Sequence, residues 1–572
     1  MNLRRAWQLT AFSALVSCAL VLAATGARPG GPARASDPST GNRSADRGDP
    51  LAATAGGDGA PAAPAPGAPA PRAPATATPA TEGSSPAERG SGAPGTPAGT
   101  RPERDPSPVT NSPAPPTAGS APPRTPRTEH ALRVDPASVG LPYSTDVPGL
   151  LTFRGNPTRT YYGSGPVPRE PEVRWRFPDR AMCSLSTVGG EATEWCGTGW
   201  TGQPAVFERT GRTWVVFGAY DRALHFVDAG TGERILPDFP TGDIIKGSVT
   251  VDPDGFPLVY SGSRDGHYRI VAFDGEEPVE LWRLSAGDTG PTLWNDDWDG
   301  SGLVLGDHLV VGGENSRIHV VRLNRGYGPD GRVTVAPELV WDAAGWDAEL
   351  LAGIGDHNVS IEGSVAVWEH TLYFANSGGL VQGWDLSGLT RGRTPHRTFR
   401  FWTGDDTDAS VVVDSDGMLY VASEWERHTP RAADVGQIMK LDPRRPDDPV
   451  VWAVADRDAD VAGVWATPAL DRDVLYVATD AGRLLALDRD DGSERWSIQL
   501  AGPTWQSPVV VDDVLLQGDC AGDLHAFDVR DTSRQPPPLW TLPLGGCIES
   551  TPAVWRGGVY VGTRAGFLVG IR

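Results

Sequence analysis

The sequence predicts an all-β fold: an eight-bladed β-propeller of four-stranded blades, with an N-terminal strand closing the last blade and a Pro/Ala-rich stalk ahead of it. Three observations lead there. One strand–turn pattern recurs eight times between residue 172 and the C-terminus. The first unit is preceded by a spare strand. The last unit stops one strand short.

The pattern is plainest in residues 467–496. Two short apolar runs, 474–478 (Val-Leu-Tyr-Val-Ala) and 484–487 (Leu-Leu-Ala-Leu), flank the turn 479–483 (Thr-Asp-Ala-Gly-Arg). Pro468-Ala-Leu470 comes first, and a Gly turn with a strand reaching Trp496 comes last. Short β-rich runs separated by Gly/Asp turns are strands in a meander.

In chain order, residues 1–25 come first. Two Arg precede a nearly uncharged apolar run, 6–24, which predicts an export signal or a membrane anchor. Residues 15–18 (Leu-Val-Ser-Cys) also resemble a lipobox, with Cys18 as the lipidated residue. Lipoprotein, anchor and cleaved signal all stay open. Residues 26–130 are Pro, Ala, Gly, Ser and Thr, with too little apolar mass to offset ordering entropy, and predict an extended linker. Residues 1–130 hold 12 Arg against 9 acids, so the rest carries about −25 of the net −22. An acidic body argues against nucleic acid, whose phosphates need basic patches.

Residues 131–171 predict a turn-rich extension packing on the main body. Residues 172–177 (Glu-Val-Arg-Trp-Arg-Phe) alternate apolar and charged as a lone strand. The second strands of the eight units centre on Val215, Leu258, Leu309, Leu372, Leu419, Leu475, Leu515 and Val559, at spacings of 40 to 63 residues. Fourth strands often end in Trp: Trp282, Trp341, Trp402, Trp452, Trp496 and Trp540, all expected to pack in the core. A strand to spare at one end and one missing at the other make a ring, which leaves no open edge.

These residues resemble the quinoprotein-type, or PQQ-like, propeller repeat, S/T-P-A-V … Y-V-G/A-S/T-x-x-G-x-L-x-A-L-D … G-x-x-x-W. The resemblance covers about residues 172–572 and is strongest in units 6 to 8. It implies either of two functions, because quinone-dependent alcohol dehydrogenases and non-enzymatic scaffolds of outer-membrane β-barrel assembly share the repeat.

In such a ring the first strand of each blade is innermost, and its leading residues line the channel mouth. These are Thr201, Lys246, Asp299, Glu362, Asp408, Trp465, Trp505 and Glu549. Carboxylates from separate blades suit a hard cation. Lys246, one of only two Lys in the chain, suits an acid or an anionic ligand. Trp465 and Trp505 suit a flat ring. The plainer reading is that Asp and Asn at strand starts cap turns.

The sequence therefore predicts a binding or scaffold module outside the cytoplasm, attached to a membrane through its N-terminus and taking a protein or glycan partner at its polar mouth. The alternative is a PQQ-dependent dehydrogenase for an alcohol or sugar, with PQQ and Ca²⁺ in the mouth. Asp406, Asp408 or Glu362 would be its base, and Asn295, Asn358, Asp297 and Glu362 its metal ligands. Two departures weaken it: no two Cys are adjacent, and no Cys-x-x-Cys-His is present. No Ser-His-Asp signature or zinc spacing is found. The four later cysteines fit two disulfides, as export allows. Cys183 and Cys196 bracket a short loop; Cys520 and Cys547 would staple neighbouring blades, or stay as buried thiols.

Overall fold

The computed structural model describes residues 132–572 except 189, 201 and 458–461. The readings for residues 1–131, Cys18 included, and for Thr201 lie outside that range. Eight antiparallel four-stranded blades form a ring. Blade 6 is typical: Ala469–Asp471, Val474–Ala478, Arg483–Asp488 and Glu494–Gln499, each paired with the next. Blade 8 takes Ala553–Trp555, Gly558–Thr563 and Phe567–Ile571 from the C-terminus. Val173–Phe177 completes it, with Arg176 opposite Val569 and Phe177 opposite Leu568.

In blades 2 to 7 the fourth strand carries a β-bulge at one register position. Beside it, Trp282 faces Ile270, Trp341 faces Val320, Trp452 faces Lys440, Trp496 faces Ala486 and Trp540 faces Ala526. Trp402 ends its strand, His396–Trp402, but stands at a different register position from the other five Trp. The equivalent residue of blade 4 is Phe399, opposite Gly383, and Trp402 lies three residues further along, opposite Leu380.

A belt of hydrogen bonds ties the inner strands together. The backbone N–H of Gln203 donates to Ser248 Oγ (3.0 Å), Ser301 to Ser364 (2.9 Å), Ser364 to Ser410 (2.8 Å), Ser410 to Thr467 (3.0 Å) and Thr467 to Ser507 (3.0 Å). The Ser/Thr of the repeat motif is thus a link between neighbouring blades, satisfying N–H groups that inner strands would otherwise bury unpaired.

Just past the belt, on the side away from the strand starts, residues 149–164 fill the axis. Gly149–Leu150 pairs with blade 1 and Gly163–Ser164 with blade 8. Between them, the carbonyls of Leu151, Pro157 and Thr158 accept from Val251, Val367 and Val413 of blades 2, 4 and 5. Arg154 and Arg159 are 0% exposed. Arg154 donates to Pro468 O (2.7 Å) and Pro508 O (2.8 Å), and Arg159 to Val365 O (2.8 Å) and Ser301 O (3.1 Å). Gly155, at φ +66°, makes the turn between them; a Cβ there would strike the Tyr161 carbonyl. The segment therefore reaches every blade.

Candidate functional site at the channel mouth

At the opposite end of the axis, each blade presents three side-chain positions. One precedes the belt residue by two, one by four, and one follows the second strand. In seven blades the backbone N–H of the last donates to the carbonyl four before the belt: Arg264 to Ile244, Glu314 to Asp297, Ser377 to Ser360, Glu424 to Asp406, Asp480 to Gly463, Cys520 to Pro503 and Arg564 to Cys547, at 2.8–3.0 Å. This repeated bond fixes the three side chains of each blade relative to one another.

In blade 3 the three positions are Asp297, Asp299 and Glu314. Lys246 Nζ of blade 2 lies 3.1, 2.5 and 2.9 Å from them. Arg264, also of blade 2, donates to Asp297 (2.8 Å), and Asn295 donates to Glu314 (2.8 Å). Burial and the Asp297 charge push the Asp299 carboxyl well above the usual range, against the pull of Lys246. Burial alone would lower Lys246, but its three acids hold it well above the ordinary value. A buried ammonium among three carboxylates is a cation paired inside low-dielectric surroundings.

In blade 5 the same positions are Asp406, Asp408 and Glu424, whose ligand atoms lie within 4.8 Å of one another. Ser377 Oγ donates to Asp408 Oδ1 (2.7 Å) and also lies 3.3 Å from Glu362 Oε1, linking blades 4 and 5. Burial beside Asp406 and Asp408 pushes the Glu424 carboxyl well above the usual range. Asp405 is fully buried and accepts the backbone N–H groups of Asp406, Glu426, Arg427 and His428, so it holds the loop next to this cluster. From that loop Arg427 reaches Asp356 (2.6 Å) and the carbonyls of Asn358 and Ser377.

The aromatic residues collect on the other side. Trp465 stacks on Trp200 (5.0 Å, 10°) and meets Trp505 edge-on (5.7 Å, 75°). Glu549 accepts two bonds from Arg564, which lies over the rings of Trp195 and Tyr220. Trp195 belongs to the hairpin Cys183–Val188 and Glu191–Cys196, closed by a disulfide between Cys183 and Cys196. A second disulfide joins Cys520 of blade 7 to Cys547 at the start of blade 8.

The structure thus brings Lys246, Asp297 and Asp299 together, and Glu362 with Asp408. Asn295 and Asp297 stand with Lys246, apart from Asp406 and Asp408. The residues that sequence reasoning missed are Trp200, Arg264, Glu314, Glu424 and Arg564. Four of these occupy the turn after a second strand; aligning that turn across the units, rather than the strand starts alone, would have found them.

The family model described as outer membrane protein assembly factor BamB matches residues 434–572. The outer membrane protein assembly factor BamB of Shewanella oneidensis is 31% identical over 102 residues, 17% of this chain and 24% of that protein. The match therefore spans about a quarter of that relative's length. Among solved structures, a quinohemoprotein alcohol dehydrogenase from Pseudomonas putida superposes with a TM-score of 0.51 at 10% identity, covering 78% of this chain and 83% of that one. The quinohemoprotein alcohol dehydrogenase of Comamonas testosteroni gives 0.47 at 13% identity, over 74% and 80%. At 10% identity the likeness to the Pseudomonas putida enzyme is one of fold. Eight repeat-built blades with a closing N-terminal strand make the chain an eight-bladed β-propeller, and over residues 434–572 it is similar to the PQQ-like repeat family.

Proposed function

We propose that the chain is a binding or scaffold propeller that works outside the cytoplasm, taking a protein or glycan partner at the channel mouth. The observation that carries this is the division of labour along the axis. One end is filled by residues 149–164 with two buried Arg, while the other gathers acids, Lys246 and three Trp from separate blades. Clustered Trp and Arg beside acids are the residue types that anchor partners. The likeness to a protein named for outer-membrane protein assembly favours a protein partner and an extracytoplasmic place. The apolar run 6–24 would attach it to a membrane.

The dehydrogenase alternative rests on the carboxylates Asp406 and Asp408. A flat quinone would have to lie on Trp465 or Trp505. Trp200 already covers one face of Trp465, while Trp505 meets Trp465 edge-on.

The test is a titration of the purified chain with PQQ and Ca²⁺, coupled to dye-linked alcohol oxidation. The scaffold reading expects no turnover; tight quinone binding with turnover overturns it. In parallel, Trp505→Ala and Glu549→Gln should weaken capture of envelope proteins or glycans that the unmodified chain retains.

A further inference from the structure

At the end of the axis opposite the mouth, the ring has a second recess. It is a cavity of about 290 Å³, framed by the turns that follow the first strands of blades 5, 6 and 7 and by residues 139–140 and 160–163 of the N-terminal extension. The Leu470 N–H of blade 6 donates to Tyr162 Oη (2.8 Å), and the Gly140 N–H donates to Thr160 Oγ1 (2.9 Å). The N-terminal wall is thus tied to blade 6 and braced within itself.

Each of the three turns contributes an aspartate to the wall: Asp414, Asp471 and Asp512. Two are paired. Arg489 Nη2 donates to Asp414 Oδ2 (2.7 Å), and Arg472 Nε donates to Asp471 Oδ2 (2.9 Å). The Asp512 carboxylate has no hydrogen bond or ion pair among the described residues. Tyr161 is half-buried near it, and burial and the Asp512 charge push its phenol up. Arg489 makes three hydrogen bonds, to Asp414, Tyr420 and the Arg472 carbonyl, so two of its five N–H groups are unspent.

The wall therefore offers acceptors and donors side by side, together with an aromatic ring. A small ammonium ion would leave the guanidinium donors unused. A carboxylate or phosphate would meet three aspartates. A ligand bearing several hydroxyls suits both kinds of group, because each hydroxyl donates and accepts. The volume lies at the small end of ligand pockets, which run upward from about 300 Å³, and so suits one ring rather than an extended chain.

We infer that this recess binds a single saccharide unit, with its hydroxyls on Asp512, Asp471 and Arg489 and a C–H face of the sugar on Tyr161. The site is separate from the mouth and does not depend on what the mouth takes. It would give the chain a glycan contact on the face that the axial segment closes.

The test uses the full chain with glucose, galactose, mannose and N-acetylglucosamine as probes, followed by saturation-transfer NMR at millimolar concentration. Transfer to at least one of them is expected. Asp512 sits at φ +49°, a conformation that Asn also adopts, so Asp512→Asn should stay folded by circular dichroism. It should weaken binding of that sugar by about tenfold or more, the scale of one charge-assisted hydrogen bond. Tyr161→Leu, checked for folding in the same way, should weaken it as well. Transfer to none of the four sugars overturns the inference, as does binding that Asp512→Asn leaves unchanged. Binding lost in Trp505→Ala but kept in Asp512→Asn would place the sugar at the mouth and overturn it too. Partner capture is read separately, so its loss with sugar binding intact would fault the scaffold reading alone.

Discussion

His225 sits fully buried in blade 1, 3.0 Å from Asp221 and 2.9 Å from Asp238. Burial by itself would lower its pKa, but hydrogen bonds to the two carboxylates outweigh that and raise it above the usual 6.5. A raised folded-state pKa means that the folded protein holds a proton the unfolded chain releases. The stabilisation is therefore complete below about pH 6.5 and fades as pH climbs through the raised value. Urea midpoints measured at roughly pH 6 and pH 9 should fall for the unmodified chain and fall less for His225→Gln. If both slopes are equal, His225 is not protonated in the fold. The same residue-scale logic distinguishes the two Lys: Lys440 donates to a backbone carbonyl, whereas Lys246 neutralises three acids. Its rarity in an Arg-rich chain marked Lys246 in the sequence; its partners Asp297 and Glu314 were settled by the turn geometry.

At the scale of elements, the strand Val173–Phe177 closes the ring. Trp175 donates its indole N–H to Ala229 O (3.1 Å) and packs near Tyr560 (5.9 Å), while Arg174 points to solvent with its side chain 55% exposed. Trp175→Ala should cost about 3–5 kcal/mol. Arg174→Ala should stay within about 0.5 kcal/mol, as surface changes do. Equal effects of the two in chemical denaturation would mean that the strand does not seal blade 8. Its existence was legible from the alternation of residues 172–177 and from the missing strand at the C-terminus. The displaced Trp402 was not, because periodicity marks a strand without marking where a bulge resets its register.

For the whole molecule, the axial segment 149–164 is the feature with the largest consequence. Arg154 and Arg159 satisfy inner-strand carbonyls at the buried centre of the ring, and each such charge-assisted bond is worth about 1.5–3 kcal/mol. Deleting residues up to 165 leaves all eight blades and the closing strand in place, yet should lower stability by more than about 5 kcal/mol, since several of these bonds go at once. A thermal midpoint unchanged by that truncation would show the segment to be a passive lid.

What the sequence determined by itself is the repeat. Eight strand–turn units, the odd strand at residue 172 and the acids at strand starts follow from alternation and turn chemistry, which are local properties of the chain. Tertiary structure alone decided which of those acids meet. Asp299 faces an ammonium and Asp408 a further carboxylate because the neighbouring blade supplies Lys246 in one case and Glu362 in the other. It also decided that residues 149–164 fill one end of the axis. Pairing across blades is set by the closure of the ring, and no local pattern encodes that.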